Sequence, residues 1–288
     1  MSASPVRLFR GAKARGERLA MISLYDAPGA ALCCDAGVDV LLVGDSLGNV
    51  VLGYENTLAV TIGDMVHHTA AVARGARGSS RPEVPIIADL PFGGYASVDL
   101  ATMNGASLVR AGAHGVKLEG AGPGALAAVR ALVEMGVPVM GHLGYTPQSS
   151  LRFESVVQGK TGAAAARLLE EAGRLEEAGC CAVVLEVVPA EVGGRVTGEL
   201  SIPTIGIGAG PGCDGQVLVW HDLVGLTPGK PLRFVKRYAD AHALLAGAAG
   251  DFVDEVRSGA FPEPQHGWSM NETELRAWSS ESEVGEQS

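Results

Sequence analysis

Seven polar side chains interrupt apolar runs at one recurring place in this chain, where each run ends: Asp45 and Ser46, Asp89, Lys117 and Glu119, His142, and Glu186. The residues before them are mostly Val, Ile, Leu and Ala, the composition of strands buried on both faces. Asp45 and Asp89 offer hard oxygens of the kind that hold Mg²⁺ while leaving positions open for water or substrate. Glu119 is either a further ligand or an acceptor that orients one. A metal held this way chelates a 2-oxo acid through its carboxylate and keto oxygens and stabilises the enolate. Lys117 adds positive charge at the same oxygen, and Glu186 is the candidate base for the C–H beside the carbonyl. A Schiff base at Lys117 is disfavoured, because neighbouring carboxylates hold the amine protonated. The competing readings are structural: Asp45 as a turn cap, and the whole set as an ion-pair network filling a barrel top. So many polar interruptions at strand ends favour a site.

Two features are weaker. His142 lies at a strand end, where it lines a site or bonds the backbone. The glycine run from Gly206 to Gly210, with Gly208 at its centre, suits a phosphate cradle, a close approach of backbone to substrate, or a tight corner.

The elements that would position these residues alternate. Apolar runs at 19–26, 38–43, 84–91, 115–120, 137–144, 181–189, 203–210 and 215–224 read as strands. Helical patterns fall between most of them, and one over 232–257 follows the last. Eight such units predict a (β/α)8 TIM barrel. A doubly wound sheet is the runner-up, but no Gly-x-Gly-x-x-Gly follows the first strand. Parity adds a geometric expectation: Lys117 and Glu119 share one strand face, with Val116 and Leu118 on the other, so the charged pair should point into the barrel mouth. The expected organisation is a flexible basic leader over 1–18, a barrel over 19–262, and an acidic, unordered tail over 263–288.

Composition excludes other classes. The chain has 288 residues, 47% of them hydrophobic, and a net charge of −10. From residue 263 onward there are six glutamates against one arginine. An acidic chain without a basic stripe is a poor nucleic-acid binder. No apolar run reaches the length of a membrane span, and residues 1–18 lack the apolar core of a secretion signal, so the expected location is the cytoplasm. The five cysteines fall as Cys33-Cys34, Cys180-Cys181 and Cys213, which suits neither a disulfide framework nor a zinc spacing.

At these residues the sequence resembles the ketopantoate hydroxymethyltransferase (3-methyl-2-oxobutanoate hydroxymethyltransferase) family. The resemblance runs from about Leu19 to Pro262. It rests on Leu42-Val-Gly-Asp-Ser-Leu-Gly48, His67-His-Thr-Ala70, Ala88-Asp-Leu-Pro-Phe92, Val116-Lys-Leu-Glu-Gly120, Gly141-His-Leu-Gly-Tyr-Thr-Pro-Gln-Ser149, Leu185-Glu186, Ile205-Gly-Ile-Gly-Ala-Gly210 and Asp214-Gly-Gln216. It implies a barrel of the phosphoenolpyruvate/pyruvate type and one-carbon transfer from 5,10-methylenetetrahydrofolate to 3-methyl-2-oxobutanoate, giving ketopantoate for pantothenate and coenzyme A synthesis. By position it implies Asp45 and Asp89 as Mg²⁺ ligands with Glu119 at or near the metal. Ser46 and Lys117 become substrate contacts, with Asp45 and Asp89 also facing the substrate, and Glu186 becomes the base. A large homo-oligomer, often a decamer, is also implied. The alternative, another Mg²⁺-dependent 2-oxo acid lyase or aldolase on the same barrel, shares the metal chemistry. The Lys-x-Cys-Gly-His loop of the isocitrate lyase relatives does not occur in this chain.

Overall fold

The computed structural model describes residues 4–284. Eight strands form a closed parallel barrel in which each pairs with the next and the last with the first. They are β1 (Leu19–Ser23), β2 (Val40–Val43), β3 (Ile86–Asp89), β4 (Gly115–Glu119), β5 (Val139–Gly144), β6 (Ala182–Glu186), β7 (Thr204–Ile207) and β8 (Gly215–Val219). Parallel neighbours need crossovers. Most are helical: α2 (Ala27–Asp35), α4 (Ile62–Arg77), α5 (Val98–Ala111), α6 (Pro123–Glu134), α7 (Gly162–Glu177) and α8 (Ala190–Glu199). A short α3 (Leu47–Val50) precedes α4, and α9 (Trp220–Leu223) follows β8. The repeating βα pattern is incomplete at one point, since β7 reaches β8 through residues 208–214 with no helix between them.

The apolar residues sort by strand parity. Leu41, Val43, Ile86, Ala88, Val116 and Leu118 belong to the core between strands and helices. Val40, Leu42, Ile87, Met140, Val184, Ile205 and Val217 belong to a second core inside the barrel. Lys117 and Glu119 therefore lie on the inward face, as the alternation of β4 requires.

The expectation of a flexible leader is corrected by α1 (Pro5–Arg15), a helix bounded by Ser4, whose hydroxyl accepts from the Arg7 N–H, and by Gly16 at φ 66°. Its Phe9 and Ala12 are fully buried in the inner core, so the helix closes the barrel bottom. Lys13 fixes it from the side, pairing with Asp214 at 2.9 Å and donating to the Thr197 carbonyl at 2.7 Å. With a single narrow apolar stripe among basic residues, the segment reads as polar in sequence.

A second compact unit begins at Asp240. Its first helix, α10 (Ala241–Ser258), starts later than the expected 232, capped by the Asp240 side chain accepting from the Ala243 N–H. Residues before it take an irregular path, stapled by Arg237, whose guanidinium donates to the carbonyls of Thr227 and Gly229 at 2.8 Å each. The expected unordered tail instead contains α11 (Glu272–Val284); residues 285–288 lie outside the described part. Among the described residues, no helix is long and apolar enough to cross a membrane.

Candidate active site

Strand register brings the predicted side chains together. Asp89 stands opposite Lys117, Glu119 opposite His142, and Gly144 opposite Glu186 in three neighbouring strand pairs. Asp45 and Ser46 follow β2 in a turn that opens α3, where the Gly48 N–H donates to the Asp45 carbonyl. Gly44 lets this turn close: a Cβ there would lie 2.7 Å from Ser23 Oγ and 2.9 Å from Ser46 Oγ. The resulting cavity, about 540 Å³, is lined by Asp45, Ser46, Asp89, Lys117, Glu119, His142 and Glu186 among others. Gly208 does not line it; that residue borders a neighbouring cavity with Gln216 and Phe234.

The cluster is buried and charged. Asp45, Asp89, Lys117, Glu119 and His142 are each no more than 5% exposed. Lys117 Nζ lies 3.0 Å from Asp89 Oδ1. Burial works against its charge, but Asp89, Glu119 and Asp45 raise the ammonium well above the ordinary lysine range. Burial, with Asp89 and Glu119 nearby, pushes the Asp45 carboxyl up to about 8 against the opposing pull of Lys117 and Gln148. Burial likewise raises Asp89, even with Lys117 beside it.

His142 sits between two carboxylates, with Nε2 3.2 Å from Glu186 Oε2 and Nδ1 3.4 Å from Glu119 Oε1. Burial and Lys117 oppose its charge, but hydrogen bonds to Glu119 and Glu186 raise the imidazole to about 9. A charged ring so placed forms ion pairs with both carboxylates. The 3.3 Å approach of Lys117 Nζ to Nδ1 is then a like-charge contact.

Glu186 ends β6 with its side chain 18% exposed, which leaves it accessible from the cavity. The chain turns sharply behind it at Val187, which has φ 48°. A β-branched residue in the left-handed region is strained, and such strain gathers at functional sites. The turn is held by the Val187 N–H donating to the Ile207 carbonyl at 2.8 Å and by the Gln158 N–H donating to the Val187 carbonyl at 3.0 Å. Gly144, at φ 92°, packs so closely that a Cβ would lie 2.2 Å from the Glu186 carbonyl oxygen.

Sequence reasoning missed four residues. Tyr25 OH lies 2.7 Å from Ser46 Oγ and 3.3 Å from Ser23 Oγ, forming a hydroxyl cluster on one wall. Gln148 and Tyr95 bond each other and the acidic cluster from the segments after β5 and β3. Their types are common in loops, and only Gln148 carried a signal, as part of the quoted 141–149 motif.

The donor set fits a divalent cation. Four carboxylates face one lysine and one histidine, and the buried Asp89 Oδ1 and Glu119 Oε1 have only the ion-pair contacts of Lys117 and His142, with no well-formed hydrogen bond. Among the described residues, no group of three or more His, Cys, Asp and Glu side chains is arranged to hold a metal by itself. Two carboxylates completed by water and substrate are the ordinary binding mode of Mg²⁺. Both Glu119 oxygens face protein groups, Oε2 accepting from the Gln148 N–H at 3.0 Å and Oε1 facing His142.

Comparison with known proteins adds a family. Residues 4–264 match the family model described as ketopantoate hydroxymethyltransferase, so the match includes α1. A 3-methyl-2-oxobutanoate hydroxymethyltransferase of Syntrophus aciditrophicus (strain SB) is 50% identical over 262 residues, covering 90% of this chain and 94% of the relative. Among solved structures, a 2,3-dimethylmalate lyase described as a PEP mutase/isocitrate lyase superfamily member aligns with TM-score 0.57 at 17% identity, covering 99% of each chain. A phosphonopyruvate hydrolase complexed with oxalate and Mg²⁺ aligns with TM-score 0.59 at 14% identity, again over 99% of each. At these identities the structural likeness speaks for the barrel alone.

Proposed function

The chain belongs to the ketopantoate hydroxymethyltransferase family, and on that premise we propose that it forms ketopantoate from 3-methyl-2-oxobutanoate, with 5,10-methylenetetrahydrofolate as one-carbon donor and Mg²⁺ at Asp45 and Asp89. The observation that carries the reading is the acid–lysine–histidine cluster converging from β2 to β6 on one cavity. When bound, the cation would polarise the keto group and stabilise negative charge on its oxygen.

The chain's own residues do the rest. Lys117, held charged by its carboxylate neighbours, places a second positive charge at the keto oxygen. Ser46, oriented by Tyr25, contacts the substrate. Glu186 accepts the proton from C3, and the electron pair of that C–H bond becomes the nucleophile for the methylene carbon of the folate. His142 holds the Glu186 carboxylate in place through Nε2. Glu119 holds His142 and the segment after β5, so it is a positioning group rather than a ligand in this proposal. Overall, one C–H bond of the 2-oxo acid is replaced by C–C, water supplies the hydroxyl, and tetrahydrofolate leaves.

A soluble assay tests the reading. Purified protein with both substrates and Mg²⁺ should release ketopantoate, and chelation by EDTA should stop it. Absence of ketopantoate under any divalent metal would contradict the assignment.

A further inference from the structure

Gln148 is the most heavily engaged neutral residue at the site, and the activity proposed above gives it no role. It lies 5% exposed in a short 3₁₀ segment, Pro147–Arg152, after β5. Its Nε2 donates to Asp45 Oδ2 at 2.8 Å and to the Leu90 carbonyl at 3.0 Å. Its Oε1 accepts from Tyr95 OH at 2.8 Å, and its backbone N–H donates to Glu119 Oε2 at 3.0 Å. The amide orientation follows from these partners. The Leu90 carbonyl only accepts, so the nitrogen must face it, and the phenol then donates to the remaining oxygen.

This arrangement has a consequence for Asp45. One of its oxygens is committed to an uncharged donor, which costs no positive charge in a cluster already short of it. Asp45 itself lines the cavity. We propose that Gln148, locked by Tyr95, is a positioning residue that orients Asp45 toward the place a divalent cation would occupy and ties the segment after β5 to the acidic cluster. The inference rests on the metal reading above. It concerns residues around the ligand, where loss of such a support typically costs about tenfold or more in metal affinity.

The test is Mn²⁺ titration of the full-length protein, followed by the loss of the free-ion EPR signal, with neither substrate present. Gln148→Met keeps the side-chain volume and removes all three hydrogen bonds of the amide; its dissociation constant should rise by about tenfold. Tyr95→Phe frees the amide to turn and should give a smaller rise, which keeps the test available if Gln148→Met does not fold. Tyr95 OH also accepts from the Glu119 N–H at 3.3 Å. If its effect on the metal runs through the amide, the double variant should bind no worse than Gln148→Met, whereas an independent contribution through Glu119 or a general loss of packing would add. Folded variants that bind Mn²⁺ as tightly as the parent would overturn the role of Gln148. A parent protein that binds no Mn²⁺ would overturn the metal reading, and this role with it.

Discussion

His142 Nε2 lies 3.2 Å from Glu186 Oε2 while its Nδ1 lies 3.4 Å from Glu119 Oε1, so one imidazole spans two carboxylates from neighbouring strands. The Glu186 carboxylate is thereby held from the side by the imidazole. Substituting His142→Asn should lower kcat for ketopantoate formation by about tenfold or more while leaving KM for the 2-oxo acid nearly unchanged. Glu186→Gln should lower it by about 10²–10⁴, the range expected for a lost general base. Steady-state kinetics on both variants check the order of the two effects.

Val187 carries the strain that turns the chain behind Glu186. A glycine tolerates positive φ without the steric cost, which is about 1–3 kcal/mol for a non-glycine residue. Val187→Gly should therefore unfold at a higher or unchanged urea midpoint, since relief of strain offsets the added freedom of the unfolded chain. Its kcat should fall, because the carboxylate is less firmly directed. A midpoint well below the parent's would show that the Val187 side chain contributes more by packing than it costs by conformation.

The buried charges give the metal-free protein a pH dependence with a definite sign. His142 is raised from 6.5 to about 9, so its contribution to stability is complete below 6.5 and is lost as pH rises through 9. Asp45 is raised from 3.8 to about 8, so the fold favours its protonated form; that contribution is complete below 3.8 and is lost as pH rises through 8. Both act in the same direction. Urea midpoints in EDTA should fall from neutral pH toward alkaline pH. Saturating Mg²⁺ should flatten the part due to Asp45, because the cation then balances the carboxylate. Equal slopes with and without Mg²⁺ would place the cation elsewhere.

At the opposite end of the barrel, Phe9 is fully buried against the inner core. Phe9→Ala should cost about 3–5 kcal/mol of stability, as large-to-small changes in a packed core do. Below the unfolding transition its kcat should stay near the parent's, since no α1 residue is among those lining the active-site cavity. Denaturation curves and kinetics on one preparation separate the two effects.

The strand-end residues were legible because a charge inside an apolar run is conspicuous, and two-residue alternation then assigns its face. Lys117 and Glu119 are the clearest case: Val116 and Leu118 between them pack outward, which leaves only the mouth. Gln148, Tyr95, Tyr25 and Ser23 were not legible. They are neutral, and what distinguishes them is a hydrogen-bond partner distant in sequence: Gln148 meets Asp45 across 103 positions. Helix α1 is hard to see in the sequence for a related reason. Its value to the fold lies in where Phe9 docks, and a polar stretch with one narrow apolar stripe does not announce a docking site. The glycine run drew attention to Gly208, whose positive φ of 66° serves the turn after β7 beside Phe234 rather than the active-site wall.

The central proposal is that Glu186 removes the C3 proton of a 2-oxo acid at a site that needs a divalent cation. The direct measurement is exchange of that proton for deuterium in 3-methyl-2-oxobutanoate, followed by NMR in D₂O with no folate present. The parent protein with Mg²⁺ should catalyse exchange, EDTA should abolish it, and Glu186→Gln should reduce it to about the uncatalysed rate. Exchange by Glu186→Gln as fast as by the parent would show that Glu186 is not the base.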